Sequence, residues 1–292
     1  ATGRAVDRVV RLAVAATVAA VGLRALGRAR VAAGRVRTHV AVVGAATIAV
    51  AQVLVDALGA GVAARRRLGH VVRLAHAVAV TAVGGRALVG HFDGKRLALE
   101  ELHRFANGPV QIFDRLYWDP LRLFAEMQQG LSLFARDHGK DLASIGVDTW
   151  GVDFALLGPD DALLDNPRNY RDPRTEGMLE RAFEIVPREE IFQRTGIQFM
   201  RLNTLYQLLA MREAGSPLLD LAQHLLLMPD LFNFLLTGVK RSEFTNATTT
   251  QLYDPRLGTW SWELVERLGL PPRILPDIGE PGTVVGALLP DI

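Results

Sequence analysis

Two aspartates, Asp148 and Asp153, stand five residues apart in the stretch SIGVDTWGVDFALLG, Ser144 to Gly158. Between them lie Thr149, Trp150, Gly151 and Val152, in a segment that otherwise has the continuous apolar character of a buried strand. A strand that only fills a core has no use for two carboxylates, an indole and a glycine together. Such a group suits a small polar ligand: carboxylates accept its hydrogen bonds, the ring covers its apolar face, and the glycine lets backbone approach closely. The bland alternative is that each aspartate satisfies nearby backbone donors or pairs with an arginine such as Arg174. On the sequence, both readings stay open for Asp148 and Asp153.

Other polar groupings carry less. Asp172 and Arg174 in YRDPRT, Tyr170 to Thr175, resemble an acid/base pair, but an ion pair holding a loop against its lobe is the reading adopted. The Thr-rich TNATTT, Thr245 to Thr250, lacks the glycines of a phosphate cradle and reads as an extended surface segment with hydroxyls bonded to backbone. The seven histidines show no metal-ligand spacing, so no metal site is assigned. With no cysteine, neither a disulfide nor a thiolate metal site is possible, which fits a reducing compartment.

The elements that must position these residues read as a mixed sheet with helices packed on it. Residues 86–91 and 96–105 alternate on either side of the turn dipeptide Asp93-Gly94 and predict a hairpin. LYWD, Leu116 to Asp119, is a short extended piece. Pro120 then opens a helix with apolar residues at 121, 123, 124, 127, 131 and 134, ending near Gly139. LASIGVDTW is a central strand, and VDFALLG either continues it or folds back as its hairpin partner. Further helices are expected in GMLERAFEI, from Pro187 to Gly196, after the N-cap Asn203 as far as Gly215, and in SWELVERLGL. LLMPDLFNFLLTG reads as a buried helical stretch interrupted near Pro229.

The net charge of +2 conceals two unlike halves. Residues 1–80 hold 12 Arg, no Lys, no Glu and only Asp7 and Asp56, a balance of +10; the remainder balances at −8. All 20 aromatic residues lie after position 80. A natural α/β domain spreads these residue types along its length. Residues 1–80 are therefore taken as a segment that is not native coding sequence, of the kind a wrong-frame translation of GC-rich DNA produces. A membrane or targeting segment is the alternative. The run from Val40 to Val55 reaches spanning length only by taking in Asp56, and the absence of Ser argues against a transit peptide. A nucleic-acid-binding arm would explain the arginines, but such arms are usually polar and Lys-rich, and this segment is strongly apolar.

From about residue 85 to Ile292 the chain resembles the N-terminal lobe of the FGGY family of carbohydrate kinases, with the nearest likeness to its rhamnulokinase branch. The residues that carry this are FDGKRLALEELHRFANGP, YWD, SIGVDTWGVDFALL, YRDPRT, IFQRTGIQFMRLNTLYQL, LLLMPDLFNFLLTG, TNATTTQLYD and PGTVVG. The resemblance implies an α/β, ribonuclease-H-like (actin/hexokinase-type ATPase) N-terminal lobe. It implies ATP and Mg2+ as cofactors, a sugar substrate (L-rhamnulose, phosphorylated on its 1-hydroxyl), and a cytoplasmic enzyme with no nucleic-acid or membrane partner. It places Gly151 at the ketose, with Trp150 and Asp153 beside it, and assigns Gly84, Gly85 and Arg86 to the phosphate turn. Two departures are expected to matter. The first strand, in VAVTAVGGRALVG, lacks the family's aspartate, and the catalytic aspartate is expected beyond Ile292, together with the second lobe. Another FGGY kinase, for xylulose, glycerol or fuculose, and a non-catalytic sugar-binding or membrane-attached regulatory protein are the alternatives.

Overall fold

A computed structural model describes residues 9–12, 73–81, 84–93 and 95–292. Among the described residues the principal sheet has six strands, in the spatial order Val284–Ala287, Val9–Leu12, Ser144–Asp148, Arg73–Val80, Gly84–Phe92 and Leu97–Ala106. The Ser144–Asp148 strand, buried at every position, is flanked by parallel partners on both sides, which is why it reads as a continuous apolar run. The remaining pairings are antiparallel.

The expected hairpin is present as Gly84–Phe92 against Leu97–Ala106, with a bulge between Ala87 and Leu88. Asp93 caps its turn by accepting from the backbone N–H groups of Lys95 and Arg96, whereas Gly94 lies outside the described residues. The boundary expected at residue 80 cuts through the sheet. Arg73–Val80 pairs with Gly84–Phe92 over eight residues and with Ser144–Asp148 over five. Val78 and Val80 supply β-branched side chains to the core, so this stretch satisfies the physical requirements of a central strand. The Val40 to Val55 run lies outside the described residues. Among those described, no helix is long and apolar enough to cross a membrane.

The Pro120–His138 helix begins and ends where its residue types dictate. Asp119 accepts from the Arg122 backbone N–H at 3.0 Å, Pro120 needs no amide partner in the first turn, and Gly139 takes the left-handed φ of +77°. Its Leu123, Met127 and Phe134 face the sheet. VDFALLG neither continues the Ser144 strand nor folds back on it. Phe154–Leu157 pairs instead with His224–Leu227 in a separate two-stranded sheet. This pair partitions the interior: Phe154, Leu156, Leu225 and Leu227 join one apolar cluster, while Ala155, Leu157 and Leu226 join the cluster under the main sheet. The two-residue period of a strand sorts them. Pro229 does not interrupt a helix but opens one, Met228–Thr237, directly after the strand. The Thr-rich segment is also placed differently from expectation. It is a short helix, Phe244–Thr248, followed by tight turns, with Asn246, Ala247, Thr250 and Gln251 buried. Its hydroxyls do bond to backbone: Thr248, Thr249 and Thr250 donate to the carbonyls of Thr245, Asn246 and Ala247. With those groups satisfied internally, the segment can enter the core.

Candidate functional site

At the end of the Ser144–Asp148 strand the chain turns sharply. The Asp153 N–H donates to the Gly151 carbonyl at 2.9 Å, closing a three-residue turn around Val152, whose φ is +68°. A β-branched residue with positive φ is strained, and such a conformation persists only where its surroundings over-determine it. Here they do. The Val152 N–H donates to Thr249 Oγ1 at 3.2 Å, and its carbonyl accepts from Thr204 Oγ1 at 2.6 Å and Gln207 Nε2 at 3.3 Å. The same contacts explain Gly151. A Cβ there would lie 3.1 Å from Thr249 Oγ1 and 3.2 Å from Asn246 Oδ1.

Asp153 settles between its two readings as an internal acceptor. It is fully buried, and its Oδ2 accepts from the indole N–H of Trp118 (2.6 Å), the indole N–H of Trp150 (3.0 Å) and the Tyr170 backbone N–H (3.2 Å). Its Oδ1 accepts from Gln207 Nε2 at 3.0 Å. Burial nonetheless raises its pKa to about 6, because desolvation outweighs these donors. Trp150 is 6% exposed, its ring centroid 4.2 Å from that of Trp118. The expected open stacking face is therefore not presented. The indole packs behind the turn and, through Asp153, fixes where Gly151 and Val152 sit.

Asp148 is different. It is buried at the strand end, in register with Ala79, and its Oδ1 has no hydrogen-bond partner. Desolvation, opposed only by the Thr149 backbone N–H, pushes its pKa up to about 8. Asn246, beside Gly151, is 5% exposed, with neither its side-chain oxygen nor its nitrogen hydrogen-bonded. Unpaired buried polar groups are costly and are characteristic of sites that complete their bonding with a ligand. Asp148, Gly151 and Asn246 thus form the candidate site, and Trp118, Trp150, Asp153, Gln207 and Thr249 support it.

The polar loop is built otherwise than expected. Asp172 is not ion-paired to Arg174. Its Oδ2 accepts from the Leu116 N–H (2.9 Å) and from Arg168 (3.3 Å), and its Oδ1 caps the following turn through the Arg174 N–H. The Arg174 guanidinium instead donates to Gln207 Oε1 at 2.7 Å, tying the loop to the Asp153 network. Its pKa is lowered to about 10 by burial, partly offset by Asp172. A cavity of about 550 Å3 borders Arg115, Arg168, Asp172 and Arg174 but not Gly151 or Asn246.

The three residues expected at a phosphate turn are held by other groups. A Cβ on Gly85 would fall 2.1 Å from the Phe105 ring, and one on Gly84 would fall 3.2 Å from the Phe105 carbonyl. The Arg86 guanidinium lies 3.6 Å from Glu101. A side chain at either glycine would meet Phe105, so packing requires glycine at both positions.

Trp118, Gln207, Asn246 and Thr249 were not picked out as site residues from sequence. Gln207 had a legible signal, a lone amide in the apolar run of a helix, Thr204–Glu213, that is buried from Thr204 to Met211. Asn246 had none, because its segment reads as polar surface.

Comparison with known proteins gives a consistent result. Residues 86–292 match the FGGY family of carbohydrate kinases, N-terminal domain. The chain is 41% identical over 216 residues to a rhamnulokinase of Oceanobacillus iheyensis, covering 74% of this chain and 46% of that protein. It is 42% identical over 213 residues to a rhamnulokinase of Pectobacterium atrosepticum, covering 72% and 42%. The chain thus spans less than half the length of these relatives. Among solved structures, a gluconate kinase and a xylulose kinase, both from Lactobacillus acidophilus, superpose with TM-scores of 0.65 and 0.66 at 21% identity. Each comparison covers 75% of this chain and 44% of the other, and at that identity it establishes the shared fold.

Proposed function

The chain belongs to the FGGY family of carbohydrate kinases, and from that premise we propose that it is the sugar-binding part of a rhamnulokinase, which phosphorylates L-rhamnulose with ATP. The observation that carries the reading is the identity of about 40% to proteins named rhamnulokinase, maintained over more than 200 residues. The site geometry is compatible with it. A ketose has hydroxyls that need hydrogen-bond partners, and the Asn246 amide and Asp148 Oδ1 are buried atoms that lack them. Gly151 leaves room beside Asn246 that a side chain would close. The strained Val152 turn, held by Thr204, Gln207 and Thr249, keeps that room rigid.

Kinases of this family are ATP-dependent and use Mg2+, which together supply and stabilise the transferred phosphoryl group. The family resemblance assigns Gly84, Gly85 and Arg86 to the phosphates; the Arg86 guanidinium lies 3.6 Å from Glu101, and a side chain at either glycine would meet Phe105. Binding of the sugar is the activity proposed for this part, and transfer is proposed for the enzyme to which it corresponds.

Titration calorimetry of the 292-residue protein with L-rhamnulose, D-xylulose, D-gluconate and glycerol tests this. L-rhamnulose should bind most tightly, and Gly151→Ala should weaken it. Preference for another of these sugars overturns the substrate assignment. Undiminished L-rhamnulose binding by Gly151→Ala overturns the site.

A further inference from the structure

A second cluster of chemistry-bearing side chains lies where the Gly84–Phe92/Leu97–Ala106 hairpin meets the end of the Pro120–His138 helix. His91 pairs in register with Ala98, so Glu100, two residues further along that strand, leaves the same face of the sheet as its diagonal neighbour. His138, the last residue of the helix, brings its ring edge-on to His91, with centroids 5.3 Å apart, and stacks on Phe134 at 5.5 Å. His91 Nε2 and His138 Nε2 lie 3.0 and 3.2 Å from the same oxygen, Glu100 Oε2, and all three atoms fall within 4.8 Å of one another. His138 Nε2 is buried, yet it is aligned for a hydrogen bond with neither Glu100 nor any other group. It is a ring nitrogen turned towards Glu100 Oε2 with no aligned hydrogen bond.

We propose that His91, Glu100 and His138 bind a divalent transition-metal ion, with Zn2+ the best fit. Tetrahedral zinc with bonds of about 2.0–2.1 Å to imidazole and carboxylate holds neighbouring ligand atoms roughly 3.3 Å apart. Two of the three edges of this cluster already have nearly that length. Two imidazoles and one carboxylate suit Zn2+, whereas Mg2+ and Ca2+ favour sets made wholly of oxygen. Glu100 is the most exposed of the three, so the fourth position opens to solvent and takes a water. An ion there clips the hairpin to the end of the helix. The proposal is independent of which sugar is bound.

The test uses the full 292-residue protein after chelator treatment, titrated with ZnCl2 alone and with MgCl2 alone. About one equivalent of Zn2+ should bind and raise the thermal transition, and Mg2+ should do neither at the same concentration. His91→Ala and His138→Ala should each weaken Zn2+ by roughly tenfold or more, and Glu100→Gln should also weaken it. Circular dichroism of each variant verifies folding. Co2+ added to the unsubstituted protein gives a readout that needs no variant: an intense tetrahedral visible band is expected. Zn2+ affinity unchanged in the His91→Ala/His138→Ala double variant, absence of Zn2+ binding, or a Co2+ spectrum of purely octahedral form overturns the site.

Discussion

Replacing Asp148 by Asn separates the charge of the candidate site from its shape. Asp148 is buried and its Oδ1 lacks a partner, so folding favours the protonated carboxyl and raises its pKa from 3.8 to about 8. The folded protein therefore holds a proton that the unfolded chain releases between these values. Stability contributed at this site is highest near pH 4 and declines as pH rises towards 8. Each pH unit within that window corresponds to ~1.4 kcal/mol, so from pH 4.5 to 7.5 wild type should lose ~4 kcal/mol relative to Asp148→Asn, which has no proton to exchange. The unpaired amide of the variant has a cost of its own, but one independent of pH, so it shifts the difference without tilting it. Other buried carboxylates, Asp153 and Asp230 among them, titrate in both proteins and cancel. No charged neighbour contributes to the Asp148 shift, which leaves desolvation as the quantity measured. Urea unfolding at pH 4.5, 6.0 and 7.5, monitored by tryptophan fluorescence, gives the two profiles. Parallel profiles would refute the reasoning, since Asp148 would then be ionised in the fold with its charge compensated.

Trp118→Phe removes a 2.6 Å donor from the buried Asp153 and should cost ~1.5–3 kcal/mol in urea unfolding; a loss below about 0.5 kcal/mol would show that the remaining donors suffice. Gly151→Ala must displace Thr249 and Asn246 by a few tenths of an ångström, so the protein should fold with a loss of about 1–2 kcal/mol and a lower sugar affinity. Removal of residues 1–72 strips the Val9–Leu12 strand, and removal of residues 1–80 strips Arg73–Val80 and its two longer ladders as well, so the second truncation should lower the thermal transition further, as calorimetry of the two would show. Equal transitions would mean that Arg73–Val80 adds little to the fold.

Much of the architecture was legible because it rests on local chemistry. Pro120 and Gly139 delimit a helix by what their backbones permit, and the alternation on either side of Asp93 makes a hairpin whatever packs upon it. The errors fall where a segment's environment is set from a distance. The Thr-rich segment looked like surface because its side chains are polar, but its hydroxyls bond to its own backbone and allow burial. Phe154–Leu157 found its partner some 70 residues away, at His224–Leu227, and no local pattern names that strand. Residues 73–80 carry the composition of an atypical segment and still form a paired strand, whose Val78, Ala79 and Val80 are the β-branched and small residues a sheet interior accepts.

The sequence by itself determined that this is an α/β carbohydrate-kinase lobe, and that SIGVDTWGVDFALLG is its most unusual stretch, since carboxylates, an indole and a glycine in a buried strand are residue types out of place. Tertiary structure alone decided what each of them does. Asp153 and Trp150 turned inward because Trp118, Tyr170 and Gln207 arrive from three other segments to meet them. Asp148 Oδ1 and the Asn246 side-chain amide were left without a hydrogen bond because no side chain arrives for them. His91, Glu100 and His138, spread over 48 residues without ligand spacing, converge through a strand register and a helix end. Residue type sets which bonds a side chain can make, but burial and partner are properties of the folded neighbourhood, where desolvation decides the charge each group keeps.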